Sequence, residues 1–90
     1  MALKVLVLRK RIEPLQAELE QLRTAASSFE AREAELEQAI NEAATDEERE
    51  VVETLVSEFE QTRETNVSEQ ARISGEIAEL ERQIAEIEAA

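Results

Sequence analysis

The chain has 90 residues and a net charge of −12, with no His, Cys, Trp or Tyr and only two Phe, one Gly and one Pro. The absence of Cys excludes a disulfide framework and thiolate chemistry, and the absence of His removes the side chain that ordinarily titrates near neutral pH. So acidic a chain is expected to be repelled by nucleic acids and anionic membranes. A mixture of Leu, Ile, Val and Ala with Glu, Gln and Arg is typical of coiled coils. We therefore expect an all-α protein without a nucleic-acid or membrane partner, made and kept in the cytoplasm.

The first eleven residues differ in charge from the rest of the chain. They contain Lys4, Arg9, Lys10 and Arg11 and no acidic side chain, so every acidic residue lies further along the sequence. The apolar run Leu3–Leu8 is interrupted by Lys4 and is too short to cross a bilayer. Two interpretations of the basic cluster stay open: a solvated helix face, or a surface that binds an acidic partner, of which the acidic flank of a second copy is one example.

Apolar residues recur in both halves of the chain at alternating spacings of three and four residues, starting at Val5. This spacing keeps one helix face against a partner helix, which is the condition for a coiled coil. We call the facing positions the seam. The predicted seam consists of Leu8, Ile12, Leu15, Leu19, Leu22, Phe29, Leu36, Ile40, Val52, Val56, Phe59, Ile73, Ile77, Leu80, Ile84 and Ile87.

A turn is predicted between the two halves, at about residues 42–45. Thr45 and Glu48 form a capping-box pattern, in which each side chain binds a free N–H at the start of a helix. Asn41 is a suitable left-handed end for the preceding helix. The chain is therefore expected to be a single antiparallel hairpin, with helix 1 at about 3–41 and helix 2 at about 46–88. Facing residue numbers should then sum to about 90, whereas one uninterrupted helix would form a rod of roughly 130 Å.

Pro14 conflicts with the helical pattern, because its ring removes a hydrogen bond and clashes with the preceding turn. Either helix 1 bends at Pro14, or regular helix begins near Glu13 and residues 2–11 form a separate segment. We favour a bend, because the seam continues through Pro14 in phase. Gly75 falls opposite Pro14 in the predicted pairing and could allow a close approach of the two backbones.

Four polar residues occupy seam positions where apolar residues are expected: Glu33, Arg63, Asn66 and Gln70. Polar groups in a seam penalise slipped pairings, so we interpret these residues as controlling register. The alternative is a weak segment, or a contact with another subunit. Apolar residues face each other at both ends of the hairpin, so the middle is predicted to be its weakest part.

A single two-helix seam buries little apolar surface for a chain of this length, so we expect the hairpin to self-associate into a helical bundle. Several side chains beside the seam widen the apolar stripe or carry the basic charge. The candidate oligomer contacts are Leu3, Leu6, Val7, Arg9, Lys10, Arg11, Val51 and Leu55.

No catalytic residue, cofactor site or small-molecule ligand is expected. The carboxylates lie on predicted helix faces open to water, without an apolar pocket to shift a pKa. Asp46, Glu47, Glu48 and Glu50 could bind a divalent ion, but they lack the alternating ligands and central Gly of a calcium loop. Helix capping explains these acids better, so no metal site is expected.

Four tracts carry a resemblance to a known family: Met1–Arg11, Phe29–Glu37, the acidic turn at Thr45–Glu50 and Ile77–Ile87. Together they resemble the N-terminal delta domain of Hong Kong 97-type major capsid proteins of tailed phages, over essentially the whole chain. The resemblance implies a scaffold that precedes the shell-forming domain, points into the procapsid and binds neighbouring capsid subunits. It also implies removal by a phage protease before DNA enters, inside a bacterial host.

Two other functions are compatible with a helical hairpin. A generic adaptor would hold two partners together in a cellular complex. The substrate-binding arm of an enzyme, such as the tRNA-binding hairpin of a seryl-tRNA synthetase, should be basic along its length, whereas this chain is acidic. The capsid and adaptor functions are therefore the two that the sequence favours.

Overall fold

The computed structural model describes residues 2–90 and contains three α-helices. Helix α1 spans Leu3–Ala26, α2 spans Phe29–Glu42 and α3 spans Asp46–Ala89. Helices α1 and α2 follow one another along one side of α3, and both pack against it. The rod measures 67 × 15 × 15 Å, about half the length of one uninterrupted helix of 90 residues. No strand occurs within residues 2–90, and the predicted all-α hairpin is confirmed.

Cross-helix contacts establish that the two sides run antiparallel. Near the free ends, Arg9 Nη2 lies 3.6 Å from Glu88 Oε1. Closer to the turn, the rings of Phe29 and Phe59 meet edge to face with centroids 5.8 Å apart. The Phe pair fits the predicted sum of about 90 for facing residue numbers.

The turn is formed by the residues between α2 and α3 and is held by a modified capping box. Thr45 Oγ1 accepts a hydrogen bond from the Glu48 amide at 3.1 Å, as predicted. The Glu48 carboxylate accepts from the Ala44 amide at 2.9 Å, one residue before the expected partner. The predicted left-handed end at Asn41 is wrong: Asn41 lies inside α2, and no residue in the described range 2–90 other than Gly has a positive φ.

Helix 1, predicted at about 3–41, spans that range as two helical segments, because Ser27 and Ser28 interrupt it. The Ser27 hydroxyl donates to the Thr24 carbonyl, and the Ser28 hydroxyl donates to the Ala25 carbonyl at 2.9 Å. Serine side chains that bind nearby carbonyls in this way compete with the regular helical ladder. Both residues keep right-handed helical φ angles, so the chain continues in the same direction as a second segment.

Pro14 lies inside α1, which begins at Leu3. The alternative in which regular helix starts near Glu13 is therefore wrong. Pro14 and Gly75 line the same surface depression, as their predicted pairing requires. However, a Cβ added to Gly75 would have no other side chain or backbone atom within 4 Å. Gly75 is therefore not needed for a close approach of the helices.

The buried core lies at one end of the rod. We call residues 3–21 and 71–89 the proximal half, residues 22–28 and 66–70 the junction, and residues 29–63 the distal half. The core cluster lies entirely in the proximal half and consists of Val5, Leu8, Ile12, Leu19, Ile73, Ile77, Leu80 and Ile84, with Leu15, Leu22 and Ile87 packed against it.

The distal half is much less closed. Leu36 is its one buried side chain among the described residues, and Phe29, Val52, Val56 and Phe59 are half-buried. Ile40 lies on the side of α2 that faces α3, as its seam position predicts, but it is 53% exposed because the helices do not close over it. The prediction of two well-packed ends around a weak middle is wrong, because the turn end is the open one.

Candidate interaction surfaces

A polar contact joins the two sides of the hairpin at the junction. The Asn66 side chain is 6% exposed. Its Nδ2 donates to the Leu22 carbonyl at 2.9 Å, and its Oδ1 accepts from Gln70 Nε2 at 2.6 Å. A buried amide of this kind is satisfied in only one pairing of the helices, so slipping either helix would leave it without partners. A residue that controls register must make such contacts, and Asn66 and Gln70 make them.

The other two polar seam residues meet each other across the distal half. Arg63 Nη1 lies 3.5 Å from Glu33 Oε2. The Arg63 guanidinium also lies 5.4 Å from the centroid of the Phe59 ring. Both charged side chains are substantially exposed, so the ion pair contributes little stability, on the order of 0–1 kcal/mol. The main role of the Arg63 side chain is therefore to cover the Phe59 ring.

Replacing Asn66 by Ala should lower the free energy of unfolding by about 1–3 kcal/mol, because the bond to Leu22 is lost and the Gln70 amide loses its partner. Urea unfolding followed by circular dichroism measures this change. Gln61→Ala is a matched control, because it removes an exposed amide that bonds to Thr65 on the same helix. Equal effects of the two substitutions would contradict a special role for Asn66.

The outer surface of α3 carries two similar ion-pair groups. Arg72 contacts Glu69 and Glu76, and ten residues later Arg82 contacts Glu79 and Glu86, all at 2.7–2.8 Å. The hydrogen bond from Arg72, followed by its charge, lowers the pKa of the Glu69 carboxyl. The hydrogen bond from Arg82, followed by one from Gln83, lowers the pKa of Glu79 to about 2. Each Arg is held charged on an exposed helix surface, and Arg72 and Glu79 also line the open depression that contains Pro14 and Gly75.

Glu79 should therefore stay ionised to unusually low pH. Its folded pKa lies below its ordinary value of 4.5, so the stabilisation that it provides is present above pH 4.5 and is lost as the pH falls toward about 2. An NMR titration of the Glu79 Cδ resonance measures the midpoint. Arg82→Gln should raise that midpoint toward the ordinary value, whereas Arg72→Gln should leave it in place. A Glu79 midpoint near 4.5 in the parent chain would contradict this prediction.

An open apolar groove runs along the distal half between α2 and α3. Two adjoining depressions of about 560 and 260 Å³ share the side chains of Ile40 and Val56. We call their union the distal groove. Its apolar lining is Leu36, Ile40, Ala43, Val52, Val56 and Phe59, and its charged rim is Glu33, Glu37, Arg49, Glu53, Glu60 and Arg63. Sequence reasoning missed this groove because it assigned most of the apolar lining to a closed seam.

The opposite end of the rod presents an apolar and basic helix surface, which we call the basic end and define as residues 3–11. Leu3, Leu6 and Val7 are 78%, 42% and 58% exposed. Their spacing of three and four residues places them on one face of α1, away from the buried Val5 and Leu8. An exposed apolar cluster rimmed by charge is characteristic of a protein interaction surface.

The basic side chains of this end differ in their contacts within the hairpin. Arg9 pairs with Glu88, and Lys10 Nζ lies 3.3 Å from Glu13 Oε1. Lys4 and Arg11 make no ion pair with any residue in the described range 2–90. Part of the positive charge is therefore free to meet a partner.

The remaining predicted oligomer contacts lie far from the basic end. Val51 is 61% exposed, and Leu55 is half-buried beside the Phe pair, on the depression that also contains Ser28 and Thr62. Val67 is also 61% exposed and was not predicted. The candidate contacts thus form separate patches at opposite ends of the rod, not one continuous stripe.

The acids at the turn have structural partners. Asp46 Oδ1 lies 3.3 Å from Arg49 Nη1, and the Glu48 carboxylate caps α3. Residues 2–90 contain no group of three or more His, Cys, Asp or Glu side chains placed to hold a metal ion. Over the same residues, no helix is both long and apolar enough to span a bilayer.

Comparisons of this chain with protein-family models, with curated proteins and with solved structures find no match. The interaction surfaces described above are therefore the basis for inferring what the protein does.

Proposed function

We propose that this chain is a non-enzymatic assembly domain that acts by helix-on-helix association with other copies of itself. By its resemblance to the delta domain, we place it at the start of a Hong Kong 97-type major capsid protein. There it would hold neighbouring capsid subunits together during procapsid assembly, inside the bacterial host. The chain would need no cofactor, metal ion or small-molecule ligand for this function.

The observation that carries the proposal is the unequal burial along the rod. The proximal half has a continuous core, whereas the distal half leaves Ile40 exposed and four apolar neighbours, Ala43, Val52, Val56 and Phe59, only partly covered. An isolated hairpin gains nothing from this open groove, since exposed apolar surface is unfavourable in water. Covering the groove with another helix would bury it, and a bundle of hairpins supplies such helices.

Charge supports the scaffolding form of the proposal. A net charge of −12 on 90 residues creates a field that repels other polyanions. A scaffold inside a procapsid with this charge would resist the entry of DNA until it is removed. The same charge limits non-specific association, so contacts between copies must be made by defined complementary surfaces.

Two measurements test the proposal at different levels. Sedimentation equilibrium of the 90-residue chain should show concentration-dependent association. Electron microscopy of the full-length gene product, expressed with and without residues 1–90, should show closed shells only when the segment is present. A deletion protein that still folds but yields aggregates or misshapen shells would identify the segment as a covalent scaffold.

Other outcomes would remove parts of the proposal. Identical shells with and without the segment, or no shells from either protein, would eliminate the capsid function. The chain would then be treated as an adaptor hairpin, and the distal groove would be the first surface to test for a foreign helix. A chain that stays monomeric at every concentration would eliminate self-association itself.

A further inference from the structure

The rod has two unsatisfied surfaces that differ in shape. The distal groove is concave and lined by side chains such as Ile40 and Val56. The basic end is convex, since Leu3, Leu6 and Val7 project from a single helix face. A helix face with apolar residues at i, i+3 and i+4 is the shape that fits an apolar groove between two helices.

The charges around these surfaces are also complementary. Four carboxylates and two guanidinium groups rim the distal groove, so its rim is negative on balance. Glu53 and Glu60 form no ion pair with any residue of the described part of the chain. The basic end has four cationic side chains and no acid, and Lys4 extends from it without a partner in residues 2–90. Opposite charges on facing surfaces favour encounter and select one pairing over others.

A single hairpin cannot bring its own two surfaces together, because they lie toward opposite ends of a rod 67 Å long. Two copies placed side by side in opposite directions can do so, since each basic end then reaches the distal groove of the other copy. The resulting dimer is symmetric and contains the same contact twice. Both basic ends and both distal grooves are then occupied, so no further copy can bind there.

We infer that the basic end of one copy binds the distal groove of a second copy, with Leu3, Leu6 and Val7 over the groove and the lysines facing its acidic rim. This inference rests on the self-association proposed above and specifies which surfaces carry it. The occupant of the groove is therefore a second copy of this chain, and the pairing of the rods is antiparallel.

Charge reversal tests the contact directly. In one variant, Lys4→Glu, Lys10→Glu and Arg11→Glu make the basic end acidic, because only Arg9 then remains against three carboxylates. In the other, Glu53→Lys and Glu60→Lys make the groove rim basic. Each variant alone should associate at least about tenfold more weakly than the parent at low ionic strength, because like charges then face each other. An equimolar mixture should recover the association, because both contacts in a mixed pair again join opposite charges.

The control variant carries Glu18→Lys and Glu64→Lys, which make the same change in net charge as the groove-rim substitutions, at exposed positions outside both surfaces. It should associate at least as well as the parent. Circular dichroism of all variants establishes that each remains helical. Sedimentation of the mixture and of each variant alone provides the comparison.

The outcomes separate this inference from the proposed function. If the parent associates and the mixed variants do not recover, or the separate variants associate as well as the parent, the inference is overturned while self-association stands. If the parent is monomeric throughout, both are overturned. If the parent associates, each variant by itself associates weakly and only their mixture recovers the association, the result supports both the inference and the proposed function.

A second measurement does not depend on charge reversal. The chain has no Cys, so Val7→Cys and Ile40→Cys in separate chains can form only intermolecular disulfides. A disulfide requires Cα atoms within about 7 Å. Under mild oxidation the mixed disulfide should form faster than either homodimer, as measured by mass spectrometry, whereas equal rates would overturn the proposed contact.

Discussion

Replacing Ile73 by Ala is expected to destabilise the hairpin by about 2–5 kcal/mol, because it leaves a cavity in the proximal core where that core meets the junction. Ile73 is 1% exposed and is the most completely buried large side chain among the described residues. Folded domains have only about 5–15 kcal/mol of stability in total, so this loss should unfold a large fraction of the chain. Because the proximal half contains nearly the whole core, the distal half should lose its helical structure with it.

Urea unfolding monitored by circular dichroism at 222 nm measures this effect, at a protein concentration below the onset of association. Ile73→Val removes a single methylene and should cost about 0.5–1.5 kcal/mol. Val67→Ala is the surface control, because Val67 is 61% exposed on the same helix, and should change stability by less than about 0.5 kcal/mol. Similar losses at positions 73 and 67 would mean that the proximal core does not hold the hairpin together.

Replacing Pro14 by Ala is expected to have the opposite effect, namely to stabilise the hairpin. Pro14 lies within α1, where proline costs about 3 kcal/mol relative to alanine because it lacks the N–H and clashes with the preceding turn. Proline also restricts the unfolded chain, which offsets about 1 kcal/mol of that cost. Pro14→Ala should therefore raise the free energy of unfolding by about 2 kcal/mol, seen as a higher urea midpoint with an unchanged slope.

Gly75→Ala provides a matched comparison on the facing helix. A Cβ at position 75 meets no atom within 4 Å, so the substitution should add about 0.5–1 kcal/mol through helix propensity alone. The stability changes of the two substitutions should add only if residues 14 and 75 share no packing contacts in the surface depression that both line. A loss of stability in Pro14→Ala would show that the proline ring itself packs against Leu15 or another neighbour in that depression.

Much of the fold could be predicted from the sequence because its determinants are local. The start of α3 follows from Thr45 and Glu48, whose side chains bind amides within a few residues. The proximal seam follows from the spacing of residues such as Ile12, Ile77 and Leu80, which places them on one face of each helix. The antiparallel pairing follows from the short turn between long helices.

The errors come from competition between local and distant interactions. The break at Ser27–Ser28 arises where serine hydroxyls bind carbonyls of the preceding turn, and serines often sit within helices without this effect. The exposure of Ile40 could not be read from its spacing, since that spacing is the same as that of buried seam positions. Its exposure depends on how closely α2 lies against α3 after the break.

The sequence by itself determined that the chain is helical, where it turns and which face of each helix is apolar, because periodicity and capping act within a few residues. Only the tertiary structure decided which of those apolar faces is covered. Helices α1 and α3 close around the proximal core and the Asn66 contact. Beyond the break at Ser27–Ser28, α2 and α3 leave the distal groove open. That division depends on the relative placement of three helices in space, which spacing along the chain does not encode.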